Sequence, residues 1–102
     1  MSFRAPQKLF PFSRFTVSGN SMFPALKPGQ EVLVFNWWRL LGLRVGDIAV
    51  IKKNGKELVK RIGQISSDRR IFVIGDNQKF STDSRTFGLI KESEILGKVI
   101  WY

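Results

Sequence analysis

The sequence predicts a mainly β fold: a small, partly closed, barrel-like antiparallel sheet of the kind one domain can hold. Three observations carry that prediction. Runs of about four to eight β-branched and aromatic residues recur between short turn signals. Asn54-Gly55, set between Lys53 and Lys56, is the strongest hairpin signal in the chain. No helical periodicity extends beyond about two turns. At 102 residues the chain is long enough for one core and too short for two, and 43% hydrophobic content marks it as folded.

Met1 to Pro11 is expected to form an irregular arm, with residues 12–102 as the folded unit. Phe12 to Ser18 reads as the first strand. Pro24 and Lys27-Pro28-Gly29 then forbid regular structure and force turns. Gln30 to Asn36 is the second strand. Trp37 to Leu43 holds five large apolar residues in seven, together with Arg39. It reads either as core covering one end of the sheet or as an apolar loop that dips into a lipid interface.

Val45 to Lys53 is the third strand, entered through Gly46-Asp47, and its run Ile48 to Ile51 is apolar on both faces, as a central strand requires. The return strand, Glu57 to Ile65, places Leu58, Lys60 and Ile62 on one face and Val59 and Arg61 on the other. Ser66 to Arg70 turns the chain into a short strand, Ile71 to Ile74. Gly75 to Phe87 is polar and irregular, and Ile95 to Tyr102 reads as the closing strand.

Composition narrows the chemistry. The chain has no cysteine and no histidine. Disulfides, thiolate or imidazole metal sites, and Ser-His or Cys-His nucleophiles are therefore excluded. No cofactor and no metal are expected, and any hydrolytic base must be Lys, Asp or Glu. The net charge of +9 favours an anionic partner. Basic residues are spread along the chain without a compact cluster, so a generally cationic, soluble surface is expected ahead of a nucleic-acid site, with peripheral contact with an anionic membrane surface as a further reading. No run approaches the roughly 18 to 20 apolar residues of a spanning helix. The first fifteen residues carry Pro6 and Pro11 and no continuous apolar core, unlike a signal peptide. The expected location is the cytoplasm or the surface of a membrane.

Three stretches hold residues capable of chemistry. Ser21 sits on the bend after the first strand, where a serine commonly caps a turn. Lys60, between Leu58 and Ile62, would serve as a base if desolvation lowered its pKa from about 10.4 to about 7 or 8. Alternatively its ammonium snorkels out to solvent. Gly75 to Gly88 carries Asp83, Arg85 and several hydroxyls. It reads as a polar loop tied down by Asx-type turns and an ion pair, or as a functional loop.

Together these stretches resemble the type I signal peptidases, a family of Ser-Lys serine proteases. The carriers are Ser21-Met22-Phe23-Pro24-Ala25-Leu26 with Lys27-Pro28-Gly29, then Gly46-Asp47-Ile48-Ala49-Val50, then Leu58-Val59-Lys60-Arg61-Ile62-Gly63. Gly75-Asp76-Asn77, Ser81 to Gly88 and Ile95 to Val99 complete the set, in family order. The resemblance implies a serine endopeptidase that removes an N-terminal leader or extension from a protein substrate. In it Ser21 is the nucleophile, Lys60 the general base, Ser81 the hydroxyl that orients the lysine, and Asp83 and Arg85 a supporting ion pair. The Ser21 N–H would supply part of an oxyanion hole.

The chain also departs from the pattern. Some relatives carry a hydroxyl donor two residues before the nucleophile, where this chain has Gly19. Relatives anchored in membranes have N-terminal spanning helices, and many insert a second β-domain where only Gln64 to Ile74 stand here. This short form most resembles the nickel-type superoxide dismutase maturation proteases. The self-cleaving repressors share a Ser-Lys site but lack the Gly-Asp-Asn box. A non-enzymatic reading, a cationic β-domain that binds a membrane surface or an acidic partner, stands as the alternative.

Overall fold

The structure is a computed structural model that describes residues 9–102. Most of the expected arm, Met1 to Pro11, lies outside the described residues. Six strands follow: β1 (Phe12–Thr16), β2 (Glu31–Phe35), β3 (Ile48–Lys53), β4 (Lys56–Ile65), β5 (Ile71–Ile74) and β6 (Ile95–Trp101). They form one antiparallel sheet in the order β1-β2-β6-β3-β4-β5. The last strand of the chain thus occupies the middle of the sheet.

The sheet is open: β1 and β5 are its two edges. Local bonding explains why β5 does not seek a further strand. Ile71 exchanges both backbone bonds with Ile90, at 2.9 and 2.8 Å. The Val73 N–H donates to Ser84 Oγ (2.8 Å) and the Gly75 N–H to Asp83 Oδ2 (2.9 Å). The outward N–H groups of β5 are therefore satisfied before any strand could add to them.

β3 lies inside the sheet, and both its faces are buried. Ile48 and Val50 join a core with Val17, Met22, Leu26, Val32 and Val59. Ala49 and Ile51 join a second core with Trp38, Ile62, Val73 and Ile90. Each Val, Leu, Ile or Met side chain among these contributes about 1.5 to 3 kcal/mol by leaving water. The β3–β4 hairpin turns through Asn54 and Gly55, both at positive φ (52° and 79°), as a type I′ turn demands. β3 starts at Ile48 rather than Val45 because Gly46 turns at φ 97° and the Asp47 N–H closes back on the Arg44 carbonyl (3.0 Å).

Trp37 to Leu43 is partly core and partly exposed. Trp38 is buried in the second core beneath the Arg39 guanidinium, which lies 4.6 Å from its ring centre. Trp37, Leu40 and Leu41 face solvent. Lys98 on β6 holds the base of this loop through Asp47 (3.2 Å). Within Gly75 to Phe87 the chain forms a 3-10 turn, Gln78–Phe80, and one helical turn, α1 (Ser84–Phe87). Among the described residues, no helix is long and apolar enough to cross a membrane.

Candidate active site

Ser21 is fixed by its neighbours on both sides. β1 delivers the chain to Val17, which is clamped by bonds to Gln30 (2.8 Å) and Gly29 (2.7 Å). The turn after Ser21 is pinned by Met22 and Leu26, both fully buried in the first core. The Phe23 N–H closes on the Asn20 carbonyl (3.1 Å), and the Phe23–Pro24 bond is cis. The Ser21 carbonyl accepts from the Asn77 N–H (2.8 Å), so the Ser21 turn is clipped to the end of β5. With its main chain held at these points, the side chain of Ser21 has a defined direction.

That direction leads to Lys60. The Lys60 Nζ and Ser21 Oγ lie 2.8 Å apart. Lys60 is only 3% exposed, so its side chain stays inside rather than snorkelling. On β4 it stands opposite the small Ala49, with Leu58 and Ile62 two residues to either side. Desolvation by this burial lowers the Lys60 pKa from the ordinary lysine value, and the negative charge of Asp83 opposes part of that shift.

Gly75 explains how a third element fits against this pair. A Cβ at that position would lie 2.1 Å from Ser81 Oγ and 2.7 Å from the Ser21 carbonyl oxygen. Only glycine lets the two turns approach this closely. Behind them Asp83, fully buried, caps α1 and accepts from the Gly75 N–H (2.9 Å), Ser81 Oγ (2.8 Å) and the Arg85 N–H (3.1 Å). The Arg85 guanidinium adds bonds of 2.9 and 3.1 Å. Burial alone would raise the Asp83 pKa, but these donors outweigh it and hold the carboxyl down at about 2.

The structure therefore brings Ser21, Lys60, Ser81, Asp83 and Arg85 into one locus. In one respect it differs from what the resemblance implied. The Ser81 hydroxyl donates to Asp83, and among the described hydrogen bonds none joins Ser81 to Lys60. Ser81 touches the locus through its packing against Gly75 instead.

Sequence reasoning passed over Arg61 and Asp76. Arg61 Nε and Nη2 grip Asp76 in a bidentate pair (2.8 and 2.7 Å), while Nη1 donates to the Gly46 carbonyl (2.8 Å). The side-chain bond to Asp76 is the main cause that raises the Arg61 pKa. This fork ties the strand of Lys60 to the turn that clips Ser21. Its sequence signal was an arginine next to the lysine and an aspartate next to Gly75, each adjacent to a residue already singled out. Among the described residues no group of His, Cys, Asp or Glu side chains is arranged to hold a metal ion.

A buried amine of lowered pKa against a serine hydroxyl can draw off the hydroxyl proton and leave an alkoxide-like nucleophile. Comparison with known proteins gives the chain relatives in sequence. The profile of the family described as signal peptidase, peptidase S26, matches residues 63–102. Signal peptidase I of Bacillus caldolyticus is 29% identical over 147 aligned residues, covering 93% of this chain and 81% of that protein. Signal peptidase IB of Staphylococcus aureus is 26% identical over 141, covering 83% of this chain and 74% of its own. Both aligned spans exceed the 102 residues of this chain, so these relatives carry residues between the matched stretches that it lacks. These similarities support the type I signal peptidase family for this chain.

Proposed function

We propose that the chain is a Ser-Lys endopeptidase that removes an N-terminal leader or extension from a protein substrate. One observation carries this reading: a lysine only 3% exposed, its amine 2.8 Å from a serine hydroxyl, in a chain with no histidine. Neutral Lys60 takes the Oγ proton as Ser21 attacks the scissile carbonyl. The resulting ammonium returns a proton to the departing amine, and water then releases the acyl group by the same relay. Asp83 and Arg85 serve as a fixed polar wall behind Ser81 and Gly75.

The substrate reading follows from the open edge of the sheet. β1 runs directly into the Ser21 turn and, among the described residues, pairs with β2 alone. An extended peptide can add there, presenting its scissile bond to Ser21; the family resemblance adds a preference for small side chains just before the cut. The short form of the chain makes an N-terminally extended nickel-type superoxide dismutase the first protein substrate to try, beside a secretory leader peptide. The experiment is cleavage of these substrates by the full chain and by Ser21→Ala and Lys60→Ala. Loss of turnover by roughly 10⁴-fold or more in both variants is expected. Equal turnover in all three proteins contradicts the reading.

A peripheral membrane role is favoured by one separate observation. Trp37, Leu40 and Leu41 are exposed together, beside Arg39. Tryptophan with flanking arginine suits an anionic lipid interface. This contact is compatible with proteolysis; without proteolysis it would leave the chain a cationic binding domain.

A further inference from the structure

A tetrahedral intermediate needs donors for its oxygen, and Ser21 supplies one. Its backbone N–H has no acceptor among the described residues. A second donor is not available two residues earlier. Gly19 has no side chain, and at φ 75° a Cβ there would meet nothing within 4 Å, so that position faces open space.

Most of the groups that close on Ser21 are already committed. Lys60 must accept the hydroxyl proton. Ser81 has its single hydroxyl hydrogen on Asp83, and the Gly75 N–H is on Asp83 as well. Arg61 is committed to Asp76 and Gly46. Asn77 is what remains. Its backbone N–H binds the Ser21 carbonyl at 2.8 Å, which anchors the residue beside the nucleophile. Asn77 is half-buried, and its carboxamide has no hydrogen-bond partner among the described residues. Such a group pointing nowhere is costly in a folded protein unless a ligand or water completes it.

We propose that the side-chain NH₂ of Asn77 is the second oxyanion donor, a catalytic residue that takes the place of the hydroxyl missing at Gly19. The inference rests on the Ser-Lys reading above. As the Ser21 Oγ–carbon bond forms, the carbonyl π pair moves onto oxygen while the Oγ proton passes to Lys60. The Ser21 N–H and the Asn77 carboxamide then hold that oxygen between them. Collapse restores the C=O bond and breaks the C–N bond, and the amine leaves with the proton from Lys60. A neutral amide suits this task because it donates two hydrogens and carries no charge to be desolvated. The exposed Asn20, immediately before Ser21, is the competing donor.

The test is steady-state cleavage of a leader-derived fluorogenic peptide by the full chain and by Asn77→Ala, Asn20→Ala and Ser21→Ala. Asn77→Ala keeps the backbone clip to Ser21, so its unfolding midpoint is expected to match the wild type. Its kcat should fall roughly 10²- to 10³-fold, with KM and the midpoint of the pH–rate profile unchanged. Asn20→Ala should keep its kcat within about threefold of the wild type. A normal kcat for Asn77→Ala beside a dead Ser21→Ala overturns the donor assignment alone. The assignment also falls if the loss appears in Asn20→Ala, or if Asn77→Ala loses stability and KM rather than kcat. A wild-type rate that survives Ser21→Ala overturns the Ser-Lys reading, and this inference with it.

Discussion

Lys60 on β4 and Asp83 at the cap of α1 are both buried, at 3% and 0% exposure, yet their surroundings act on them in opposite senses. Lys60 has one hydroxyl as its hydrogen-bond partner and aliphatic neighbours along its strand. Asp83 accepts five hydrogen bonds, two of them from main-chain N–H groups. Desolvation dominates at Lys60 and lowers its pKa; donors dominate at Asp83 and lower its pKa too, to about 2. For a base a lowered pKa favours the neutral form, and for an acid it favours the ion. The same direction of shift thus favours the neutral amine on one side and the carboxylate ion on the other. Burial by itself does not decide whether a charge survives; the number of donors or acceptors supplied with it does.

The comparison can be broken from the Asp83 side first, where the stability effect is largest. Asp83→Asn removes the charge but leaves Arg85, Gly75 and Ser81 directed at it. A loss of about 2 to 3 kcal/mol in denaturant unfolding is expected, less than for a fully buried pair because Arg85 is 38% exposed and can be hydrated. Acid titration checks the same residue. Its folded pKa is depressed, so its contribution is complete above the unfolded value of 3.8 and is lost as pH falls toward 2. A stability curve flat from pH 4 to about 2 in wild type and Asp83→Asn alike would contradict the assignment.

Lys60→Met tests the other side and has the opposite sign. Below the unfolded lysine value of 10.5, the unfolded chain binds a proton more readily than the folded one, so Lys60 costs stability there. The methionine variant should therefore unfold at a higher midpoint than the wild type at pH 7 while losing activity. A lower midpoint would mean that Lys60 is held by pairing rather than strained by desolvation. The smallest expected effect on folding belongs to the exposed loop. Trp37→Ser with Leu40→Ser should change stability by less than about 0.5 kcal/mol. Sedimentation with phosphatidylserine vesicles should fall, and unchanged sedimentation would remove the membrane role from this loop.

The strands were legible because each alternates or runs apolar within a few residues, and Asn54-Gly55 announces its own turn. Ser21, Lys60 and Asp83 were singled out through the family resemblance of their three stretches, because alone they read as a turn cap, a snorkelling lysine and a loop ion pair. Three features were not legible. The central place of β6 depends on pairing with β2 and β3, contacts that no local pattern encodes. The division of Trp37 to Leu43 into a buried Trp38 and exposed neighbours depends on what packs beneath the loop, not on its own hydrophobicity. The Arg61–Asp76 fork joins residues fifteen apart that meet only once β4 and β5 are paired.

The central claim is that Lys60 works as a neutral base because its site is dry, and the pH dependence of kcat for leader cleavage tests it most directly. The account predicts that the rate rises with pH to a plateau whose midpoint lies well below the ordinary lysine value of 10.5. A rate still climbing beyond about pH 10 would show a lysine that titrates as if in water, and would contradict it.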